Sequence, residues 1–408
     1  MTHTNKAVPD FNNLGIATNL LAVLAEQKFT SPTPIQRECI PVVLAGKDIV
    51  GIAQTGTGKT LAFGLPIIQR LATTNGQALI ILPTRELAIQ VEEVMQKLGG
   101  KLGLRTVVII GGAHMDRQKR SLRQNPHVVI ATPGRLIDHI QQKNFSLQHV
   151  KIIVLDEADR MLDIGFAPQI KQILSLASPM RQTLLFSATM PTEIVKIANQ
   201  YMKEPVRVEV APAGTSATNV KQEAYIVSKE CKMQLLEKHL ADHSGTVLVF
   251  SRTKHGAKKY TRSINEMGHT AVEIHSDRSL SQRKAAMEGF KNGKFRVLVA
   301  TDIASRGIDV NNISLVVNYD LPDNPEDYVH RIGRTGRAGN SGKAVSFVAP
   351  DERRDVLQIE RLIRKPLQVM PLPVLPPRRT VAHVSSGYEG GRGFGRNRRS
   401  EQRTRRKW

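Results

Sequence analysis

The sequence predicts an α/β protein with two domains, each a mostly parallel sheet with helices on both faces. The chain has 408 residues, which is long for one hydrophobic core, so two domains of roughly 150 to 200 residues each are expected. Short apolar runs alternate with helical segments through both halves, the pattern of parallel strands joined by helical crossovers. Loops rich in Gly, Thr, Asp and Arg follow several of these runs, at the strand ends where α/β proteins place their chemistry.

The charge balance indicates a polyanionic partner. The chain has 58 Lys and Arg against 36 Asp and Glu, a net charge of +22, as expected of a protein that binds nucleic acid. An acidic membrane surface is the second candidate, but the sequence contains neither an apolar run long enough to span a bilayer nor an apolar amphipathic anchor. Residues 1–10 lack the apolar core of a secretory signal, and Cys39 and Cys231 are far apart. We therefore expect a cytoplasmic, disulfide-free protein with no membrane partner.

Six strands are predicted in each half of the chain. Helices are expected from near Ile35, where Pro32 and Pro34 rigidify the approach, over residues 61–71, and from about residue 84 to Leu98. Gln36 falls on the first turn of the helix near Ile35, where a lone Gln is ordinarily a solvated polar residue. The predicted strands are 48–52, 78–82, 105–110, 127–131, 152–155 and 182–186, then 222–227, 246–250, 270–274, 296–300, 315–318 and 343–348.

A phosphate-binding loop is predicted after the first strand. Strand, glycine-containing loop and helix follow one another directly, so backbone N–H groups and the helix N-terminus would face the anion. Lys59 would reach the terminal phosphates and the Thr60 hydroxyl would take Mg²⁺. The general pattern begins with Gly, and here Ala53 holds that place. The loop is Ala53-Gln54-Thr55-Gly56-Thr57-Gly58-Lys59-Thr60.

Two carboxylates follow the apolar run at residues 152–155. Asp156 and Glu157 emerge where this strand would leave the sheet, and charge buried beside Leu155 is costly unless a metal or another cation compensates it. An ordinary strand leaving a core has the same pattern. Ser187 and Thr189, which follow a later strand, are suited to relay the state of this site through hydrogen bonds, although a plain turn is equally compatible.

Three successive strands of the first half end in loops next to Arg85, Gly112, Thr132 and Arg135. Each loop alone is an ordinary turn, whereas together they would form a row of phosphate-contacting groups along the carboxyl edge of the sheet. In the second half, charged loops again follow strands, next to Arg252 and Thr301. Arg331, Arg334 and Arg337 recur at a spacing of three, separated by Gly and Thr, which is unfavourable for a helix interior. We therefore expect them on a loop or at a helix end, where they would bind an anion. The alternative is a basic turn exposed to solvent.

The domain boundaries follow from composition. We expect domains at residues 1–208 and 220–366, a linker at 209–219, and a disordered tail at 367–408 that is first rich in Pro and then in Arg and Gly. Residues 378–408 contain nine Arg and one Lys against two Glu, a net charge of +8. Tyr388, Phe394 and Trp408 are interleaved among these cations, as in proteins that bind single-stranded nucleic acid. A solubilising tail is the alternative.

In this order the motifs resemble those of the DEAD-box ATP-dependent RNA helicases of superfamily 2, over about residues 11–349. The matching strings are Ala-Gln-Thr-Gly-Thr-Gly-Lys-Thr, Pro-Thr-Arg-Glu-Leu-Ala, Thr-Pro-Gly-Arg, Asp-Glu-Ala-Asp, Ser-Ala-Thr, Ala-Thr-Asp-Ile-Ala-Ser-Arg-Gly-Ile-Asp and His-Arg-Ile-Gly-Arg-Thr-Gly-Arg. The family has two RecA-like domains that face each other, and Ala is usual at the start of its phosphate loop. The short C-terminal extension looks most like the bacterial RhlE-type branch.

The resemblance implies a role for each matching residue at the nucleotide. Phe11 would stack on adenine and Gln36 would read its hydrogen-bonding edge, which reverses the first interpretation of Gln36 and implies ATP. The loop from Ala53 to Thr60 would bind the phosphates, with Mg²⁺ held by Thr60 and, through water, by Asp156. In the same way Glu157 would be the general base, Arg334 and Arg337 arginine fingers, and Asp309 a ribose contact.

The resemblance also implies coupling and RNA contacts. Asp159, Ser187, Thr189 and His330 would couple the nucleotide state to domain closure. The positions that match RNA-backbone contacts are Arg85, Gly112, Thr132, Arg135, Arg252, Arg283 and Thr301.

Three residues depart from the family pattern. Lys28 stands where Gly is usual, and Ser276 follows His275 where Gly is common. Leu280 replaces the Gln that normally precedes the Arg at position 283, which puts one RNA contact in doubt, although Gln282 nearby is a possible substitute.

The expected activity is RNA-stimulated ATP hydrolysis that drives local, weakly processive unwinding of RNA duplexes or remodelling of ribonucleoproteins. Ribosome-assembly or RNA-decay proteins are the expected protein partners. An ATP-gated RNA clamp or annealing chaperone is the alternative, and a DNA helicase is a third hypothesis.

Overall fold

The chain forms two seven-stranded parallel sheets, one in each half. The computed structural model describes residues 10–54, 56–210, 220–305, 313–336 and 341–377. Helices pack on both faces of each sheet, and each face is covered by its own apolar cluster. The predicted fold class is therefore confirmed.

The first sheet has the strand order β3-β4-β2-β5-β6-β1-β7. Its strands are β1 (Ile49–Ile52), β2 (Gln77–Ile81), β3 (Thr106–Ile109), β4 (Val128–Ala131), β5 (Val150–Leu155), β6 (Gln182–Ser187) and β7 (Val206–Glu209). Its helices are α1 (Thr18–Glu26), α2 (Pro34–Leu44), α3 (Lys59–Leu71), α4 (Arg85–Gly99), α5 (Met115–Leu122), α6 (Pro133–Gln141), α7 (Ala158–Asp163), α8 (Ala167–Leu176) and α9 (Thr192–Tyr201). Short 3₁₀ turns occur at Asn12–Leu14, Gly100–Leu102 and Leu147–His149.

The second sheet has the strand order β10-β11-β9-β12-β13-β8-β14. Its strands are β8 (Val220–Ile226), β9 (Val247–Phe250), β10 (Ala271–Ile274), β11 (Val297–Ala300), β12 (Leu315–Asn318), β13 (Gly342–Val348) and β14 (Gln368–Met370). Its helices are α10 (Lys232–Asp242), α11 (Lys254–Glu266), α12 (Leu280–Lys291), α13 (Asp302–Ser305), α14 (Pro325–Ile332) and α15 (Arg353–Ile363), with a 3₁₀ turn at Pro350–Glu352.

The two sheets have the same topology. When the strands of the second sheet are counted from its own first strand, their spatial order is identical to that of the first sheet. The carboxyl ends of the central strands β1, β2, β4 and β5 meet at one edge of the first sheet, because all the strand pairs are parallel. The loops that follow these strands are therefore brought together at that edge.

Local signals explain where the site helices begin. Pro34 occupies the first position of α2, where its missing N–H costs nothing. The Thr84 hydroxyl accepts a hydrogen bond from the backbone of Leu87 and caps α4. At the start of α12, Ser279 and Gln282 cap each other's backbone N–H groups.

The structure corrects the predicted sequence boundaries in two places. The linker was expected at residues 209–219, but Glu209 still belongs to β7. Structure was not expected beyond Pro366, yet Gln368–Met370 pair with β8, and Leu367 is buried. β7 has four residues and β14 has three, and neither stands out in the sequence as an apolar run. Each depends on hydrogen bonds to the backbone of its neighbouring strand. The expected tail from Arg378 lies outside the described residues.

The described part of the chain has no helix both long and apolar enough to cross a bilayer.

Candidate nucleotide and RNA site

The phosphate loop lies between β1 and the first turn of α3, as predicted. Gly56 and Gly58 have φ angles of 89° and 90°, which favour glycine because a side chain would be strained there. The Thr57 hydroxyl donates to the Gln54 carbonyl at 2.7 Å and tightens the turn. Lys59 is the first residue of α3, so the unpaired N–H groups of that helix face the loop. Thr55 lies outside the described residues.

Lys59 connects this loop to the acidic turn after β5. Its ammonium donates to the Ala53 carbonyl at 3.0 Å and lies 3.7 Å from Asp156 Oδ1. Asp156 is 5% exposed, and its Oδ1 accepts the Glu157 backbone N–H at 2.9 Å. Burial raises the pKa of Asp156 although Lys59 opposes that shift. A buried carboxylate in this state gains from a further cation.

Glu157 is held as an anion by cations from both domains. Burial favours its neutral form, but the cations Arg160, Lys59 and Arg334 lower its pKa below the usual range. Arg160 is fully buried, and its guanidinium lies 2.9 Å from Glu157 Oε2. Since Arg334 belongs to the second domain, the electrostatics of Glu157 depend on how the two domains meet.

Gln36 closes the other end of the phosphate loop. Its side-chain oxygen accepts the Thr33 backbone N–H at 2.9 Å, and its amide donates to the Gly58 carbonyl at 3.0 Å. Gln36 is buried, so the solvated polar residue first inferred from the sequence is wrong. Phe11 is 4% exposed and packs in the apolar cluster that also contains Leu14 and Ile35.

Asp159 links the acidic turn to the loop after β6. One of its carboxylate oxygens accepts the backbone N–H groups of Ala188 and Thr189 and the Thr189 hydroxyl, at 3.1, 2.9 and 3.0 Å. The Ser187 hydroxyl in turn accepts the Asp159 backbone N–H at 3.2 Å. The predicted coupling residues of the first domain thus form one hydrogen-bonded unit.

His330 faces this unit from α14 of the second domain. Burial lowers its pKa, as does Arg160 of the first domain, while Asp327 at 3.9 Å and Asp159 act in the opposite direction. The imidazole is therefore neutral near pH 7.

The three arginines at a spacing of three are not equivalent. Arg334 is 3% exposed and acts on Glu157, as described above. We had expected Arg331 to meet an external anion, and this was wrong, because Arg331 is 1% exposed. Its guanidinium donates to both carboxylate oxygens of Asp302 at 2.6 Å and to the Asp320 carbonyl at 2.6 Å. Arg337 and Asp309 lie outside the described residues.

The predicted RNA residues of the first domain lie at the same carboxyl edge. The Arg85 guanidinium covers Gly111 and Gly112 so closely that a side chain at Gly112, where φ is 76°, would collide with it. Thr132 precedes α6 and is buried. Arg135 donates to the Ala113 carbonyl at 2.9 Å.

The predicted RNA residues of the second domain are engaged within the protein. Arg252 lies within 3.2 Å of both Asp323 and Glu352, while Thr301 follows β11. Arg283 reaches across to the first domain, where its guanidinium lies 2.7 Å from Glu86 Oε2. This arginine is therefore an interdomain contact in the structure.

Comparison with known proteins identifies the family. The DEAD/DEAH box helicase model matches residues 33–197, and the helicase conserved C-terminal domain matches residues 231–339. The chain is 43% identical over 368 residues to the DEAD-box ATP-dependent RNA helicase CshA of Geobacillus kaustophilus, which covers 90% of this chain and 79% of that protein. The chain belongs to the DEAD-box ATP-dependent RNA helicases. An ATP-dependent RNA helicase CshA of Limosilactobacillus reuteri is 44% identical over 371 residues, or 90% of this chain and 74% of that protein.

Solved helicase structures match the whole two-domain arrangement. S. cerevisiae Dbp5 bound to RNA and ADP BeF3 superposes with a TM-score of 0.80 at 31% identity, over 89% of this helicase and 95% of that chain. Mss116p bound to ssRNA and AMP-PNP superposes with a TM-score of 0.81 at 29% identity, over 88% of this helicase and 78% of that chain. The two sheets are RecA-like domains, placed relative to each other much as in those RNA-bound chains.

Three functional contacts of this helicase were missed from the sequence: Arg160 beside Glu157, Glu86 opposite Arg283, and Asp302 beneath Arg331. Arg160 follows Glu157 by three residues, a spacing that pairs side chains on a helix, so this contact was open to prediction. The other two join segments far apart in the chain, and no local signal indicates them.

The structure also shows what Leu280 and its neighbour Gln282 contact. Gln282 was considered as a substitute for the missing RNA-binding Gln, but its side-chain oxygen accepts the Ser279 backbone N–H at 3.0 Å. This oxygen caps α12 and is already occupied. Leu280 is half-buried and packs against the apolar cluster of the first domain.

Proposed function

We propose that this RNA helicase hydrolyses ATP only when its two domains close, and that RNA favours that closure. The observation that supports this most directly is the environment of Glu157, which lies near Lys59 of the first domain and Arg334 of the second. Arginine fingers contribute roughly 10³ to 10⁵ to the rate of phosphoryl transfer, so the open protein would be almost inactive.

Each group at the nucleotide has a proposed task. Phe11 and Gln36 bind adenine, the loop from Ala53 to Thr60 binds the phosphates, and Asp309 contacts the ribose. Lys59 holds the terminal phosphates and Glu157 orients the attacking water and accepts its proton. Arg334 and Arg337 stabilise the charge that develops on the transferred phosphoryl group.

The donor set fits Mg²⁺. Asp156 is a buried carboxylate with a raised pKa, one of its oxygens is engaged by the Glu157 N–H, and Thr60 supplies a hydroxyl on α3. Hard oxygen donors of this kind suit Mg²⁺, which usually retains several waters. When bound, the ion would neutralise charge on the phosphate oxygens.

Coupling would pass through the unit formed by Asp159, Ser187 and Thr189, which His330 meets from the second domain. RNA would lie along Arg85, Gly112, Thr132 and Arg135 and along Arg252, Arg283 and Thr301 of the other domain. Contacts of this kind go to the backbone, so the base sequence should matter little.

One closure would separate only a few base pairs. Stacking in a DNA duplex, a proxy for RNA, is about 1.4 kcal/mol per step, whereas binding a micromolar ligand provides about 8 kcal/mol. Unwinding should therefore be local and weakly processive, and ribonucleoprotein remodelling would use the same step. Unwinding of very long duplexes as readily as short ones would contradict this proposal.

The catalytic assignment is tested with Glu157→Gln. This variant should bind ATP and RNA with nearly unchanged affinity but hydrolyse ATP at least about 100-fold more slowly, because it has lost the proton acceptor. Single-turnover hydrolysis with saturating RNA measures the effect. Glu209→Gln, which changes an exposed carboxylate of β7, is the matched control. Near-normal turnover of the Glu157 variant would refute the assignment.

An ATP-gated RNA clamp or annealing chaperone is the second candidate, because residues 378–408 carry a net charge of +8. Deletion of these residues separates the two proposals. A helicase should retain its ATPase while RNA binding weakens and its salt dependence becomes shallower. Loss of all RNA-dependent activity would favour the clamp.

Finer assignments belong to the same proposal. We infer two domains, close to the ranges 1–208 and 220–366 expected from the sequence but extended to Glu209 by β7 and to about residue 377 by β14 and the segment after it. We also infer a cytoplasmic location in keeping with free Cys39 and Cys231, and ribosome-assembly or RNA-decay proteins as partners. We also propose the RhlE-type branch, whereas the similar relatives are called CshA. A tree of bacterial DEAD-box helicases would decide between these branches, and crosslinking in cells would identify the RNAs.

A further inference from the structure

Leu280 occupies an unusual place for an apolar residue. It is the first residue of α12 in the second domain, yet its side chain packs against the apolar cluster that α3 and α4 form in the first domain. Together with Ile89 and Gln90 of α4 it lines a groove of about 210 Å³ between the domains. The family pattern has an amide at this position, whereas leucine cannot donate or accept a hydrogen bond.

The start of α12 is rigid enough to direct this contact. The reciprocal cap between Ser279 and Gln282 fixes the first turn. Arg283 lies three residues after Leu280, on the same helix face, and pairs with Glu86 of α4 at 2.7 Å. One face of α12 therefore presents an apolar and a charged contact to α4.

We propose that Leu280 is a positioning residue that stabilises the closed arrangement without RNA, in place of a contact to RNA. The inference rests on the proposed closure-gated hydrolysis. Arg334, Arg283 and Leu280 belong to one domain, so any contact that holds α12 against α4 also favours the approach of Arg334 to Glu157. Apolar burial between the domains contributes only when they meet, because the side chain returns to water on opening.

The test compares Leu280→Ala, Leu280→Gln and Leu280→Met in the full-length protein. For the first two, the ATPase rate without RNA should fall about fivefold. The RNA concentration for half-maximal stimulation should rise by a similar factor in Leu280→Ala and by less in Leu280→Gln, because the Gln variant regains the family's amide for RNA. The turnover number at saturating RNA and ATP should not change, since RNA then keeps the protein closed. Leu280→Met keeps the apolar volume and should behave like the wild type.

Met287→Ala is the matched control. Met287 lies on the same helix and lines the same groove, but it packs against the apolar cluster of its own domain. Its loss should lower the stability of the second domain without changing the RNA-free rate. Single-molecule fluorescence between dyes on the two domains, without RNA, should show a smaller closed fraction only for the Ala and Gln variants of Leu280.

An RNA-free rate and a closed fraction that stay within twofold of the wild type in both variants would overturn the inference. A fall in the turnover number at saturating RNA equal to the fall without RNA would also overturn it, because a general structural defect would then explain the change. A different outcome would contradict the proposed function: RNA would not stimulate ATP hydrolysis by the wild-type protein.

Discussion

Glu157 and Lys28 both adopt the left-handed backbone region, with φ angles of 54° and 61°. At Glu157 this conformation turns the chain sharply from β5 into α7 and leaves the carboxylate against Arg160, so the strain is stored at the catalytic turn. At Lys28 it serves only the loop after α1. The family pattern has Gly at that position, which the positive φ explains.

Lys28→Gly should therefore stabilise the first domain. Glycine removes the left-handed strain but also increases the conformational entropy of the unfolded chain. The net gain in the free energy of unfolding should be about 1 kcal/mol. Urea unfolding followed by circular dichroism measures the change. Gln27→Gly, at the preceding residue with a φ of −86°, has no strain to relieve and should be neutral or destabilising. A loss of stability in the Lys28 variant would contradict the interpretation.

His239 makes the stability of the second domain depend on pH. It is buried between Tyr225 and Phe347, with ring centroids 5.0 and 5.8 Å away, and burial lowers its pKa to about 4. The unfolded chain binds this proton near pH 6.5 and the folded chain does not. The free energy of unfolding should thus be unaffected above about pH 7 and should fall by about 3 kcal/mol between pH 6.5 and 4.

His239→Leu should remove that part of the pH dependence. Urea unfolding at pH 7.5, 6, 5 and 4 gives the comparison, and the exposed His255, replaced by Gln, provides the control. If the wild type and the His239 variant lose stability in parallel as the pH falls, other groups are responsible.

At the scale of elements, β14 shows how a short strand completes a domain. Gln368–Met370 lie parallel to β8, Leu367 is 5% exposed in the apolar cluster, and Met370 and Leu375 cover the other face of the sheet. The Pro376 carbonyl also accepts the Gln234 side-chain amide of α10. This segment therefore belongs to the second domain rather than to the tail.

A chain that ends at residue 366 should consequently be less stable than one that ends at 377. Loss of the buried Leu367 and of the β14 pairing should lower the free energy of unfolding of the second domain by about 3 kcal/mol. The chain ending at 377 should match the full-length protein. Equal urea midpoints for both truncations would show that β14 contributes nothing.

At the scale of the whole molecule, Arg331 and Arg334 do different work although they are three residues apart. Arg331 is buried within its own domain, where it pairs with Asp302 and lies 4.8 Å from the Phe250 ring. Arg334 instead influences Glu157 of the other domain. One arginine therefore stabilises a domain, and the other completes a site between domains.

Arg331→Met should lower the free energy of unfolding of the second domain by about 3 kcal/mol or more, because the buried ion pair between Arg331 and Asp302 is lost. Arg334→Ala should change that quantity by less than about 1 kcal/mol but reduce RNA-stimulated ATP hydrolysis about 10³-fold. Urea unfolding and steady-state ATPase assays on both variants give the comparison. Equal effects of the two substitutions on stability and on rate would contradict this division.

The sequence by itself determined what its local patterns encode. Apolar runs predicted all the inner strands, and the strand, loop and helix around Gly58 and Lys59 predicted the phosphate loop, because these features depend on neighbouring residues. The position of Asp156 and Glu157 at a strand end followed from the same reasoning.

Only the tertiary structure decided which side chains meet across the chain. Edge strands β7 and β14, the burial of Gln36 and Arg331, and the pairing of Arg283 with Glu86 all depend on partners distant in sequence. Leu280 illustrates the reason. Its apolar character was visible from the start, but the free energy of burying it depends on a surface of the first domain, and that surface is present only when the two domains meet.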